Sequence, residues 1–138
     1  MSQIEVDKVI PQSGTNLQIG EAGDTINLTT ATVNLPTGVG GTSWQAIKTA
    51  NFTAVAGEGY FVDTTSNVIT ATLPSSATIG NEVSIIDYAG TADTNNITIG
   101  RNGHNIQGAA SDMTVTTERA AFTLVYVDST QGWLLKDK

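Results

Sequence analysis

The chain has 138 residues, 39% hydrophobic and 14% charged, with 14 Gly, 3 Pro, one His and no Cys. Thirteen acidic against six basic side chains give a net charge of −7, so the cationic footprint that a nucleic-acid backbone needs is missing and no nucleic-acid partner is expected. Without cysteine there is neither a disulfide framework nor a thiolate metal site, and stability must come from packing or association.

In chain order, residues 1–10 lack the basic start and apolar centre of a signal peptide, and no run approaches the roughly 18 apolar residues that span a bilayer; no membrane insertion is expected. Apolar residues then come as pairs with one residue between: Ile4/Val6, Leu17/Ile19, Ile26/Leu28 and Val33/Leu35. Each pair reads as a very short strand with one apolar face, and Gly14, Gly20, Gly23 and Asp24 supply the turns. Two units, Thr25-Ile26-Asn27-Leu28 and Thr32-Val33-Asn34-Leu35, repeat T-[IV]-N-L seven residues apart. An arm with so few large apolar groups cannot offset the entropy of its own ordering, so it must borrow a core from another chain or stay disordered; its regular apolar pairs favour a segment ordered by its neighbours. The run Thr37-Gly38-Val39-Gly40-Gly41-Thr42 reads as a hinge, which divides the chain into an arm over 1–41 and a domain over 42–138.

After the hinge, residues 43–48 suggest one short helical turn. Strand patterns then recur about every ten residues, over 51–55, 60–63, 67–73, 82–87, 96–99, 105–107, 112–117, 121–128 and 133–136, separated by Gly/Asn/Asp/Ser-rich turns. The low charge and abundant Thr and Gly suit strands. The expected fold is all-β, an antiparallel β-sandwich of jelly-roll type or a barrel. Its expected core comprises Ile69, Leu73, Val83, Ile85, Ile97, Ile99, Phe122, Leu124 and Trp133, with the strand over 67–73 half-exposed and that over 121–128 buried on both faces.

Catalytic patterns are weak. His104 has Ser111 and Asp112 nearby in sequence, but no nucleophile elbow surrounds a serine, and the carboxylates are spread singly; no catalytic residue is assigned and the chain reads as a non-enzyme. Asp87, Asp93, Asn95 and Asn96 bracket a loop rich in hard oxygens, yet the spacing matches no dedicated calcium loop, and turn formation is the expected role; no metal or other cofactor is assigned. Residues 99–103 lack the Lys-Ser/Thr and the helix of a phosphate loop. The three N-x-T triplets at Asn27, Asn51 and Asn96 are ascribed to the high Thr content. Of the aromatics Trp44, Tyr60, Tyr88, Tyr126 and Trp133, which are expected mainly in core or interface, Tyr60 and Tyr88 are the candidates for stacking on a sugar ring.

The opening residues, from Met1-Ser2-Gln3-Ile4-Glu5-Val6 to Ile19-Gly20-Glu21-Ala22-Gly23-Asp24-Thr25-Ile26, resemble the N-termini of structural proteins and tail fibres of aquatic tailed bacteriophages. Gly59-Tyr60-Phe61-Val62-Asp63, Ile97-Thr98-Ile99-Gly100-Arg101-Asn102-Gly103 and Leu124-Val125-Tyr126-Val127-Asp128 are similar to the C-terminal modules of such fibres. The resemblance implies a homotrimer on the virion surface, made in the host cytoplasm. An intertwined stem, with Leu17, Ile19, Ile26, Leu28, Val33 and Leu35 at its contacts, would precede a β-sandwich head. It further implies that the arm docks on other virion proteins of the tail or the major capsid shell, and that the head contacts host surface polysaccharide. The long shaft usual in fibres is absent between arm and head. An extended arm of about 40 residues spans at most roughly 140 Å, which equally suits a trimeric cement or decoration protein on the capsid. A free carbohydrate-binding module is the third reading.

Overall fold

The computed structural model describes residues 41–136, which carry nine strands and no helix. The arm strands expected over 1–40, and with them Leu17, Ile19, Ile26, Leu28, Val33 and Leu35, lie outside the described residues. The strands are β1 (Ser43–Trp44), β2 (Phe52–Thr53), β3 (Glu58–Val62), β4 (Ile69–Thr72), β5 (Glu82–Asp87), β6 (Ile97–Gly100), β7 (Met113–Val115), β8 (Ala121–Asp128) and β9 (Gly132–Leu135). The helical turn expected over 43–48 is not formed. A lone turn fixes several residues for one hydrogen bond. Beside β3 the same backbone gains two, Ser43 N–H to Gly57 O and Gln45 N–H to Gly59 O, each 2.9 Å. The run over 105–107 forms only isolated bridges, from Ile106 to Ala109 and to Trp133.

Two sheets result, A in the order β1-β3-β5-β8-β9 and B in the order β2-β4-β6-β7. The all-antiparallel pairing of the expected jelly-roll is corrected. Pairs β1–β3, β3–β5, β2–β4 and β4–β6 are parallel, and only β5–β8, β6–β7 and β8–β9 are antiparallel. A parallel partner cannot be reached through a tight turn. The chain therefore steps from sheet A to sheet B and back, each circuit laying one strand on each sheet beside the last. Three circuits (β1–β2, β3–β4, β5–β6) coil in this way, and β7, β8 and β9 then pair antiparallel and end the coil.

Alternation along the strands puts the core between the sheets. Ile69, Ala71 and Leu73 are buried from β4 and the residue after it, Val83 and Ile85 from β5, Ile97 and Ile99 from β6, and Leu124 and Tyr126 from β8. Each aliphatic side chain so buried contributes roughly 1.5–3 kcal/mol. Eight of the nine expected core residues are buried, and Phe122 is half-buried against the core. Tyr60 and Val62 join them. β4 is half-exposed as expected, whereas β8 is buried on one face only, with Thr123, Val125 and Val127 partly open on the other.

Candidate functional site

Along the outward face of sheet A, parallel register lines up Trp44 with Gly59 and Ser84, and Phe61 with Ile86. Across β8 and β9 the same face carries Thr123, Val125 and Leu134. Gly59 is glycine for a steric reason: a Cβ there would come within 2.6 Å of Trp44 Cε3, because the indole lies flat across the β3 backbone. The ring continues onto Phe61, stacked at 4.9 Å between centroids and 28° between planes. Trp44 keeps 48% of its surface exposed and neighbouring Ile47 45%, while Phe61, Ile86, Val125 and Leu134 are half-buried. Polar pairs interrupt it: Ser84 and Thr123 join hydroxyl to hydroxyl at 2.9 Å, and Glu82, in register with Val125, pairs with Lys136.

Where β5 ends, Asp87 turns inward and is 1% exposed. One carboxylate oxygen accepts the Gly90 N–H at 3.1 Å; the other accepts the N–H groups of Ala92 (3.3 Å) and Arg119 (3.0 Å). One side chain thus fixes the loop after β5 to the turn before β8. Arg119, in the left-handed region at φ 54, lays its guanidinium over Gly90 and donates to the Tyr88 carbonyl. Tyr88 is thereby presented from a pinned backbone with 46% of its surface exposed. The adjoining loop after β3 is tied in through Thr64 and Thr91, hydroxyl to hydroxyl at 2.9 Å, and through Asn95 Nδ2, which donates to Thr64 O at 2.9 Å. Next to it, the Thr65 hydroxyl and N–H, both donated to Asp63, hold that carboxyl below its ordinary range.

The second candidate for sugar stacking, Tyr60, is placed in the core at 1% exposure, against Phe52 at 4.7 Å, and offers no ring face to solvent. Its hydroxyl accepts the Val55 N–H at 2.8 Å and donates to the Glu58 carboxylate. Burial first, and then the Glu58 hydrogen bond, push the phenol up to about 12. Glu58 also borders a cleft of about 370 Å³ at the start of β3 and β5, floored by Gly57 and Gly80 and walled by Glu82 and Lys136. Those two form an exposed ion pair at 3.1 Å, the kind worth at most about 1 kcal/mol.

Ser111, His104 and Asp112 are not brought into a relay. His104 Nε2 lies 3.0 Å from the Ser75 carbonyl with its ring edge-on to Tyr126, and Asp112 accepts the Arg101 N–H at 2.9 Å. The oxygen-rich loop is not assembled as a cage either: Asp87 faces backbone N–H groups, Asp93 accepts from the Thr94 hydroxyl, and Asn95 is a donor. Among the described residues no three His, Cys, Asp or Glu side chains cluster as metal ligands, and no helix is long and apolar enough to cross a membrane. The outward apolar face and the Asp87 anchor are what sequence reasoning missed. The anchor had one signal, an Asp at a strand end with Gly three residues on, the pattern of an Asx-type turn. No protein-family model matches the chain, and no curated protein matches it.

Proposed function

We propose that this is a non-enzymatic structural protein of a tailed-phage virion surface, fibre-like and homotrimeric, in which residues 1–41 attach and associate and the two-sheet domain faces outward. The observation that carries the reading is the β1–β3–β5 part of the outward face of sheet A, where Trp44, 48% exposed, stacks on Phe61 beside Ile86. A sheet face turned to water ordinarily carries polar side chains; an exposed aromatic cluster on it supports a contact there. Tyr88, held on the Asp87–Arg119 anchor, is the residue of this domain best presented for a host polysaccharide.

A trimeric cement or decoration protein on the capsid is the second reading, and the exposed Trp44 and Ile47 favour it equally, as apolar groups open to a neighbouring subunit. Copy number per purified particle, by quantitative mass spectrometry against the major capsid protein, decides between them. Tens of copies place the protein on the tail, and hundreds place it on the head. Absence from the particle overturns both. Saturable polysaccharide binding that survives Tyr88→Ala removes Tyr88 from the proposal.

A further inference from the structure

One cross-strand row on the outward face of sheet A joins unlike chemistries. Trp44, Gly59, Ser84 and Thr123 follow one another in register, and Lys136 continues the row, its N–H donating to Thr123 O at 2.9 Å. Glu82, two residues before Ser84, shares the outward face with it and reaches Lys136 Nζ at 3.1 Å. Between the indole and this ion pair stand only Gly59 and Ser84. The missing side-chain bulk leaves the cleft of about 370 Å³ at the start of β3 and β5, within the roughly 300–1,000 Å³ of small-ligand sites.

One margin of the cleft is aromatic. A Cβ at Gly59 would lie 2.7 Å from both Thr42 Cγ2 and Trp44 Cζ3, so the methyl of Thr42, a cleft residue, and the indole meet over the same glycine. The two neighbours of the ring, Gly59 and Phe61, both belong to β3; the 48% of Trp44 that stays exposed is turned from that strand. The other margin is polar and only partly used. The Glu82–Lys136 pair takes one carboxylate oxygen and one ammonium proton, which leaves an acceptor and two donors side by side. Asn81 Oδ1 accepts the Thr78 N–H at 3.0 Å, so the amide offers its N–H groups to the cleft.

A flat apolar ring beside adjacent acceptors and donors matches a pyranose, which has an apolar C–H face and a rim of vicinal hydroxyls that both donate and accept. The indole lies over β3, the neighbour of β5, so ring and ion pair are about one strand spacing apart across the sheet, roughly 4.8 Å, a span that one sugar ring covers. Glu58 and Glu82 set two carboxylates against the single ammonium of Lys136 at this cleft, which disfavours an acidic sugar. We infer that the cleft binds a neutral pyranose residue, its C–H face on Trp44 and its vicinal hydroxyls on Glu82 and Lys136. Glu82 opens β5 and Tyr88 follows its other end, so this contact is separate from that of Tyr88. The inference goes beyond the proposed function, because it does not depend on where the protein resides.

Full-length protein titrated with the methyl glycosides of glucose, galactose and mannose tests it, with glucosamine and glucuronate as charged comparators. Saturation-transfer NMR on the sugar reports both binding and which of its protons touch the protein. At least one neutral glycoside is expected to bind saturably, with transfer strongest to the C–H protons of one ring face, and glucuronate to bind more weakly. Trp44→Ala should abolish the transfer. Glu82→Gln keeps the side chain's shape but loses a charge-assisted hydrogen bond, and should weaken binding about tenfold. Unchanged emission from Trp133, at 0% exposure, shows that the variants are folded. No saturable binding of any neutral glycoside, binding of glucosamine alone, or binding that neither substitution alters overturns the inference. Copy number per particle is untouched by all of these results, so the inference and the proposed function fail separately.

Discussion

Asp87 and Tyr60 each hold a polar group inside an apolar layer, by different means. Asp87 satisfies three backbone N–H groups from two loops, so Asp87→Ala leaves the buried Ala92 N–H unpaired, at about 1–3 kcal/mol, and removes the acceptor of two partly buried N–H groups. A loss of roughly 3 kcal/mol is expected, read as a lower denaturant midpoint at unchanged slope. Tyr60 keeps its proton in the folded chain up to about pH 12, against 10.0 for an ordinary tyrosine. Between those values the unfolded chain binds fewer protons than the folded one, so stability is complete below pH 10 and falls as pH rises toward 12. Denaturation midpoints taken across that window should show the decline, and Tyr60→Phe should flatten it while costing about 1 kcal/mol at neutral pH through the lost hydroxyl contacts.

At the scale of elements, strand positions were legible and strand partners were not. Alternation is a local signal: β5 and β8 coincide with their expected runs, and the β4 and β6 runs include the buried Ile69, Ala71, Leu73, Ile97 and Ile99. Period two is the same in parallel and antiparallel pairs, however, and the short connection from Val62 to Ile69 reads as a hairpin turn. It instead carries the chain from one sheet to the other. Sugar-stacking potential was equally ambiguous in sequence, since Tyr60 and Tyr88 are the same residue type at strand ends; which one is buried follows from the register of β3, which no local pattern encodes. The Trp44–Gly59 contact also depends on that parallel register. Gly59→Val should drive the indole off the sheet and shift its fluorescence toward that of a solvated tryptophan. Trp133, at 0% exposure, supplies an unchanged buried signal, and Trp44→Phe identifies the moving component.

For the whole molecule, charge opposes the association proposed above. Each chain brings −7, and copies gathered in a trimer repel one another across distances that salt screens. The proposed trimer is expected to tighten between 0.01 and 1 M salt, where the screening length falls from about 30 to about 3 Å; sedimentation at several ionic strengths measures it, and an assembly that loosens with salt would show that ion pairs hold it together. The coil also decides how the domain yields to a pull. Tension entering through Gly41 meets β1 first, a two-residue edge strand with one neighbour. That two-residue pairing is expected to give way before the five-residue ladders of β3–β5 and β5–β8. The domain can give up its first circuit as slack and recoil onto an intact remainder, which makes it a shock absorber wherever it is tethered by that end.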